Sequence, residues 1–468
     1  MSEKVELVKS SVWAIGSQAV SMVSGILMSF ILPKFISVES FGYWQLFLLY
    51  AGYVGILHFG YADGVYLRLG GKYFEQLEKT RWYPQIHLVI FFQIIFAIAL
   101  VIYAVYFEEG VKRNLFLFLS AYLVIDNIYK LLSFILMATG KMVFYSKTVI
   151  LDKLLMAVTV AFLLIAFPAI NLFWIISAYT IAHFLILIMT VGKFDKLLRY
   201  TKCFSFAVVK DTLAIASVGI VLTMSNIMST FVAGSCRFLV EHFWNIEIFA
   251  QISFALIVSS FLLFFISQIS YVLFPFIRRT PKENQGVILR DATFILTSFP
   301  MYAFSTLFLL YGLIYYWLPD YREALRYFIL LSPICLYDIR INLLYNTYYK
   351  NLNKIKELLI INVITVATAV LVSVVAVWLR NMDILAIGIV VAISLKSVLM
   401  HLQLFKYYQI GHDTIFYFDL LFSALIILSF AFTNLSVTLV VYLVMIACLT
   451  VFYRNKLKDS VTILKKII

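Results

Sequence analysis

From end to end the chain is a succession of apolar stretches, each near twenty residues long. That is the length a helix needs to cross a hydrocarbon core. In lipid the backbone must satisfy its own hydrogen bonds, which leaves helices or closed barrels. The stretches are continuous rather than alternating in polarity, which favours helices over a barrel. Only 13% of the 468 residues are charged, against about 25% in a soluble domain, so a water-facing surface cannot be built. The expected fold class is an all-α polytopic membrane protein.

Fourteen spans are expected, near 10–32, 42–60, 83–106, 115–138, 149–167, 171–191, 213–234, 248–273, 293–318, 326–348, 358–379, 384–405, 415–433 and 435–453. The tightest junction is Pro168 to Asn171. Basic residues test the count, because cytoplasmic segments are rich in Lys and Arg. With the N-terminus inside, 27 of the 37 basic residues fall on inner segments, Lys153 among them, and seven on outer ones. Lys130, Arg340 and Lys396 remain within spans. A miscounted span would scramble this alternation, so both termini are expected in the cytoplasm. The run after Met1 to Lys9 is too long for a cleaved signal peptide. The net charge of +13 then lies on inner loops, where anionic lipid headgroups attract it. Nucleic acid would need a basic soluble face, and no domain carries one.

The sequence lacks the marks of catalysis. Cys203, Cys236, Cys335 and Cys448 have neither metal nor redox spacing, and the six histidines form no ligand motif. There is no phosphate-binding G-x-x-x-x-G-K-[ST] loop, and no loop is long enough to fold alone. The longest inner loops, Arg68 to Arg81 and Lys193 to Asp211, are basic and hold no paired carboxylates for acid–base work. An enzyme, a metal and a cofactor are therefore not expected. His58, His183 and His401 read as packing residues.

Two weak matches six spans apart suggest an internal repeat. Pro33-Lys34-Phe35 with Glu39 to Gly42 resembles Cys236-Arg237-Phe238 with Glu247 to Ala250. Thr139 with Lys141 and Lys147 resembles Thr347 with Lys350 and Lys356. The even offset gives halves of one orientation. The expected organisation is a lobe of helices 1–6 (residues 1–192), a basic cytoplasmic linker (193–212) and a lobe of helices 7–12 (213–410). Helices 13–14 and a basic tail (411–468) follow.

An ionisable group at mid-bilayer costs at least about 2.5–3.5 kcal/mol and marks a functional site by default. Asp126 and Lys130 are four apart and share a helix face, so they can pair. Asp338 and Arg340 are two apart and cannot pair well along their helix. Lys396 has no acid in its own span. Counted back from the lysine pairs, Lys130 and Arg340 stand at similar depth in the two lobes, as expected around a cavity for an anionic substrate. The alternative is that Asp126–Lys130 is an internal staple and that Arg340 pairs across to another helix.

Three stretches resemble the polysaccharide flippases of the multidrug/oligosaccharidyl-lipid/polysaccharide exporter superfamily. Leu32 to Phe35 with Phe41-Gly42-Tyr43-Trp44-Gln45-Leu46 is similar to that family's first outer turn. Phe59-Gly60-Tyr61-Ala62-Asp63-Gly64 with Leu67-Arg68-Leu69-Gly70-Gly71 is similar to its GxxDGxxxRxGG element. Cys236-Arg237-Phe238-Leu239-Val240 is similar to its DRFLI element, with Cys236 in place of the acid. The resemblance implies two six-helix lobes forming a V around a cationic cavity. It also implies export of an undecaprenyl-pyrophosphate-linked oligosaccharide across the bacterial cytoplasmic membrane, for O-antigen, capsule or exopolysaccharide. Coupling to an H⁺ or Na⁺ gradient, and a polymerase and glycosyltransferases as pathway partners, are implied too.

The candidate substrate contacts are Arg340, Lys396, Lys130 with Asp126, and Arg68 at the inner mouth. The alternative for Arg68 is an ordinary positive-inside anchor. Asp63 and Asp338 are candidate ion-coupling groups, and the alternative for Asp63-Gly64 is a cap at the end of span 2. The rivals are a multidrug/cation antiporter of the same superfamily, a peptidoglycan-precursor or teichoic-acid flippase, and a membrane glycosyltransferase or polymerase.

Overall fold

A computed structural model describes residues 3–167, 170–195, 197, 205–260, 277, 281–411 and 413–459. Cys203, Pro168 and the second half of the expected span 248–273 lie outside the described residues. The described chain is helical and divides into two compact units, 1–227 and 228–468.

In unit 1, α1 (Glu3–Ile26) continues through a π turn at Leu27–Ile31 to Phe35. Then come α2 (Val38–Tyr53), α3 (Tyr61–Leu69), α4 (Lys79–Phe107), α5 (Gly110–Ala138), α6 (Met142–Ala166) and α7 (Leu172–Val191). Helix α5 is the hub and packs against α2, α3, α4, α6 and α7. Its buried face, Leu119, Leu123, Leu131, Leu132 and Ile135, recurs at helical spacing. The boundary between the units falls inside the long α8 (Phe206–Phe243).

In unit 2 follow α9 (Ile246–Ser259), α10 (Lys282–Ala303), α11 (Ser305–Trp317), α12 (Ala324–Leu331), α13 (Ile334–Arg340), α14 (Asn346–Asn351), α15 (Ile355–Trp378), α16 (Met382–Tyr407), α17 (Thr414–Phe432) and α18 (Leu435–Phe452). A second π turn, Ile341–Tyr345, joins α13 to α14. Helices α15 and α16 make the most extensive pairing of the unit. Gly388 lies against the Val372 side chain so closely that a Cβ there would collide with it, so a residue without a side chain lets the two helices approach.

Among the described residues eleven helices are long and apolar enough to cross a membrane, and twelve when the bent α12–α14 segment counts as one. The fold is an all-α multi-pass membrane protein, while the number fourteen is not reached. One reason is the expected span 42–60, which breaks between α2 and α3. The other is the span 248–273, of which only α9 is described.

Four helices end alike. The chain turns through positive φ at Gly140, Asn353, Arg380 and Gln409. The next amide then bonds five residues back, Lys141 to Leu136, Lys354 to Tyr349, Asn381 to Ala376 and Ile410 to Phe405.

Candidate functional site

In unit 1 the break between α2 and α3 organises the polar interior. The α-helix tightens into a 3-10 helix over Val54–His58 and turns through positive φ at Phe59 and Gly60. Carbonyls released inside an apolar bundle need partners. Val54 O accepts from Asn127 Nδ2 at 3.0 Å and Leu57 O from Gln93 Nε2 at 3.0 Å. Asn127 Nδ2 also donates to Gln93 Oε1 at 2.7 Å. His58 Nδ1 accepts from the Gly60 amide at 3.1 Å, so His58 serves the break itself.

Next to this break lies the expected Asp126–Lys130 pair, with Nζ 2.6 Å from Oδ2. Asp126 is buried, whereas the Lys130 side chain is 37% exposed. One end of this cation is therefore neutralised and the other remains reachable. Asp63, in the first turn of α3, accepts a hydrogen bond from the Thr223 hydroxyl of α8. The helices meet there backbone to backbone: a Cβ at Gly64 would fall on the Ile215 carbonyl, and one at Gly219 on Gly60 O and Gly64 N. Asp63 thus lies in a tight helix crossing.

A second ionic group in unit 1 was not anticipated. Lys153 belongs to α6 rather than to an inner loop, and its Nζ is 3.0 Å from Asp152. His183 Nδ1 approaches the other oxygen of Asp152 at 3.0 Å. The Tyr122 and Tyr179 hydroxyls meet at 3.3 Å beside it. Asp152 lies within the expected span 149–167, and an acid in such a run was the signal that could have found it.

In unit 2 Arg340 is wholly buried and fully engaged. Its Nη2 donates to Asp419 Oδ2 at 2.7 Å and to Ser397 Oγ at 2.8 Å, and Nη1 donates to Thr297 Oγ1 at 2.8 Å. Nε reaches Ser397 Oγ at 3.2 Å. The rings of Tyr337, Tyr345 and Phe416 lie 5.5–5.9 Å from the guanidinium. Arg340 is therefore a paired cation joining α10, α13, α16 and α17, and it is not the unpaired one its own helix suggests. His401 sits nearby, stacked between Phe405 and Phe416 at 3.9 Å, with Nδ1 2.9 Å from the Tyr345 hydroxyl.

Lys396 differs. It is 4% exposed, donates to Ser229 Oγ at 2.8 Å, and has no ion pair among the described residues. Asp338 is half-buried and has no hydrogen-bond partner among the described residues. Arg68 ends α3 and is exposed.

The structure thus brings Asp126 and Lys130 together in unit 1, and joins Lys396 to Ser229 in unit 2. Among the described residues no group of three or more His, Cys, Asp or Glu is placed to hold a metal.

No known family profile and no curated relative matches the sequence. Solved structures do match the fold. The inward closed conformation of the lipid II flippase MurJ aligns over 96% of this chain and 99% of its own, with TM-score 0.65 and 14% identity. An inward-facing multidrug resistance MATE transporter of the MOP superfamily aligns over 84% of this chain and 94% of its own, with TM-score 0.59 and 13% identity. A eukaryotic MATE transporter aligns over 85% and 95%, with TM-score 0.52 and 14% identity. At these identities the likeness establishes the fold alone, and that fold is the one shared by MurJ and the MATE transporters of the MOP superfamily.

Proposed function

We propose that the protein is a flippase that carries an undecaprenyl-pyrophosphate-linked oligosaccharide across the bacterial cytoplasmic membrane by alternating access, for O-antigen, capsule or exopolysaccharide synthesis. The observation that carries this reading is the extent of the match to a lipid II flippase, nearly the whole of both chains. The MATE transporters leave a larger part of this chain unmatched. The FGYADG and LRLGG stretches and the cations held in apolar helices point the same way.

In this reading Lys396 and Lys130 contact the anionic headgroup. Each is an ammonium with donor capacity left beyond its present partner, and phosphate oxygens are strong acceptors for such donors. Asp126 holds Lys130 in place until substrate arrives. Arg68 gathers the headgroup at the cytoplasmic mouth. Arg340, saturated by Asp419, Ser397 and Thr297, supports the helices that carry Lys396. Asp338 and Asp63 are the candidate H⁺ or Na⁺ coupling groups. The lipid-linked oligosaccharide and membrane lipids are the direct partners, with a polymerase and glycosyltransferases in the same pathway.

The test is appearance of lipid-linked oligosaccharide in the outer leaflet of a deletion strain complemented with wild type, Lys396→Ala or Lys396→Arg. The expected result is normal membrane levels for all three, lost translocation in Lys396→Ala and partial translocation in Lys396→Arg. Translocation by Lys396→Ala at the wild-type rate removes Lys396 from the mechanism. Wild type that moves no lipid-linked sugar but exports organic cations turns the reading to the multidrug antiporter, whose solved relatives share the fold. Complementation of a lipid II flippase deletion instead would make the substrate the peptidoglycan precursor.

A further inference from the structure

Where α3 gives way to α4, unit 1 carries a dense set of charges, and most are paired one for one. Lys79 Nζ lies 3.2 Å from Asp195, Arg81 Nη2 3.0 Å from Asp211, and Lys141 Nζ 2.6 Å from Glu75. Among the described residues of this stretch, two cations break the pattern. Arg68, in the last turn of α3, and Lys72, just beyond it, are exposed. Neither has a carboxylate or hydrogen-bonding side-chain partner among the described residues. Gly71, at φ +88°, and the bond from the Lys72 amide to Leu69 O at 3.0 Å turn the chain back at this point. Arg68 and Lys72 thereby line one cavity of about 30 Å³, together with Tyr73, Gln76, Glu78 and Arg81. Trp82 and Leu69, both buried, also line it. Glu78 is the acid of this lining and forms no ion pair with Arg68 or Lys72.

We propose that this cavity is an anion site that takes a lipid-borne phosphate, with Arg68 and Lys72 as its two cationic contacts. A planar guanidinium suits two oxygens of one phosphate, and an ammonium adds a point charge beside it. The cavity is too small for a sugar ring and suits a phosphate group seated at its mouth. It stands at the ends of membrane helices, the depth at which lipid headgroups lie. The phosphate comes either from an anionic membrane phospholipid or from the pyrophosphate of the transported lipid. The second source rests on the flippase reading, and the site itself does not.

Native mass spectrometry of the full chain in detergent tests this, with phosphatidylglycerol and undecaprenyl pyrophosphate titrated separately. Wild type is expected to retain at least one of them. Arg68→Ala/Lys72→Ala is expected to lose about tenfold in apparent affinity, the size of one charge-assisted hydrogen bond. Arg68→Lys, which keeps the charge and loses the two-oxygen contact, retains only part of the binding, and Lys79→Ala, a neighbouring cation that has its own acid, changes nothing. Glu78→Gln, which removes the one negative charge of the lining, tightens binding. Since Arg68 and Lys72 are exposed, an unchanged melting temperature certifies the fold of each variant. A double variant that retains both lipids as wild type does overturns the site, and so does a wild type that retains neither. Loss confined to undecaprenyl pyrophosphate makes the site a substrate dock. Loss of phosphatidylglycerol in a protein that never binds undecaprenyl pyrophosphate keeps the site and counts against the flippase reading.

Discussion

Arg340 and Lys396 look alike in the sequence, each a single cation in an apolar run, yet the structure gives them opposite chemistry. Arg340 has a carboxylate, two hydroxyls and three aromatic rings around it and no exposed surface. Lys396 has one serine hydroxyl and no ion pair among the described residues. A saturated cation fixes helices, because every donor it owns is already committed. A cation with spare donors can exchange partners, and transport of an anion requires that exchange. Lys130 resembles Lys396 in this respect, with a single carboxylate and a partly exposed ammonium.

The largest expected effect separates the two classes. Arg340→Met leaves Asp419 buried and unpaired, which costs about 3–5 kcal/mol, and should appear as loss of folded protein in detergent. Arg340→Met/Asp419→Leu removes both charges and should recover the melting temperature and a substantial part of translocation. A double variant that folds but cannot translocate would move Arg340 into the transport machinery and erase the distinction. A smaller effect is expected at Lys130. Asp126→Asn frees the ammonium and should cost only about 1 kcal/mol of stability, because the pair is partly exposed, while Lys130→Ala abolishes translocation. If Asp126→Asn proves as damaging as Arg340→Met, Lys130 belongs with the saturated class.

The smallest effect lies outside the membrane. The Lys141 ammonium bonded to Glu75 holds that carboxyl below the ordinary glutamate range. A lowered folded-state pKa stabilises above the unfolded value, about 4.3, and the contribution is lost as pH falls through the lowered one. The melting temperature should therefore drop slightly more steeply in wild type than in Glu75→Gln as pH is taken below about 4. Equal slopes would show that surface pairs of this kind contribute nothing.

Much of this was visible in the residues. Length and polarity alone called for membrane helices, and the i, i+4 spacing of Asp126 and Lys130 foretold their pair. The partner of Arg340 was not visible as such, because Asp419 lies 79 positions away on another helix and only folding brings them together. Its presence in an apolar run, like that of Asp152, was nonetheless a signal. The break in the second expected span was hidden for a different reason. Hydropathy sums over a window and is blind to a turn such as Phe59–Gly60 whose neighbours are apolar. The shared form of four helix ends was hidden because the positive-φ position is glycine only at Gly140 and is Asn353, Arg380 and Gln409 at the others.

The broken second span also constrains how the protein is made. The carbonyls of Val54 and Leu57, in its 3-10 turn, accept from Asn127 and Gln93, side chains that leave the ribosome well after the segment they serve. Until α4 and α5 arrive, this stretch has no partner in lipid and must wait in water or beside the insertion machinery. The N-terminal unit is therefore expected to enter the membrane as a group of helices, not one at a time.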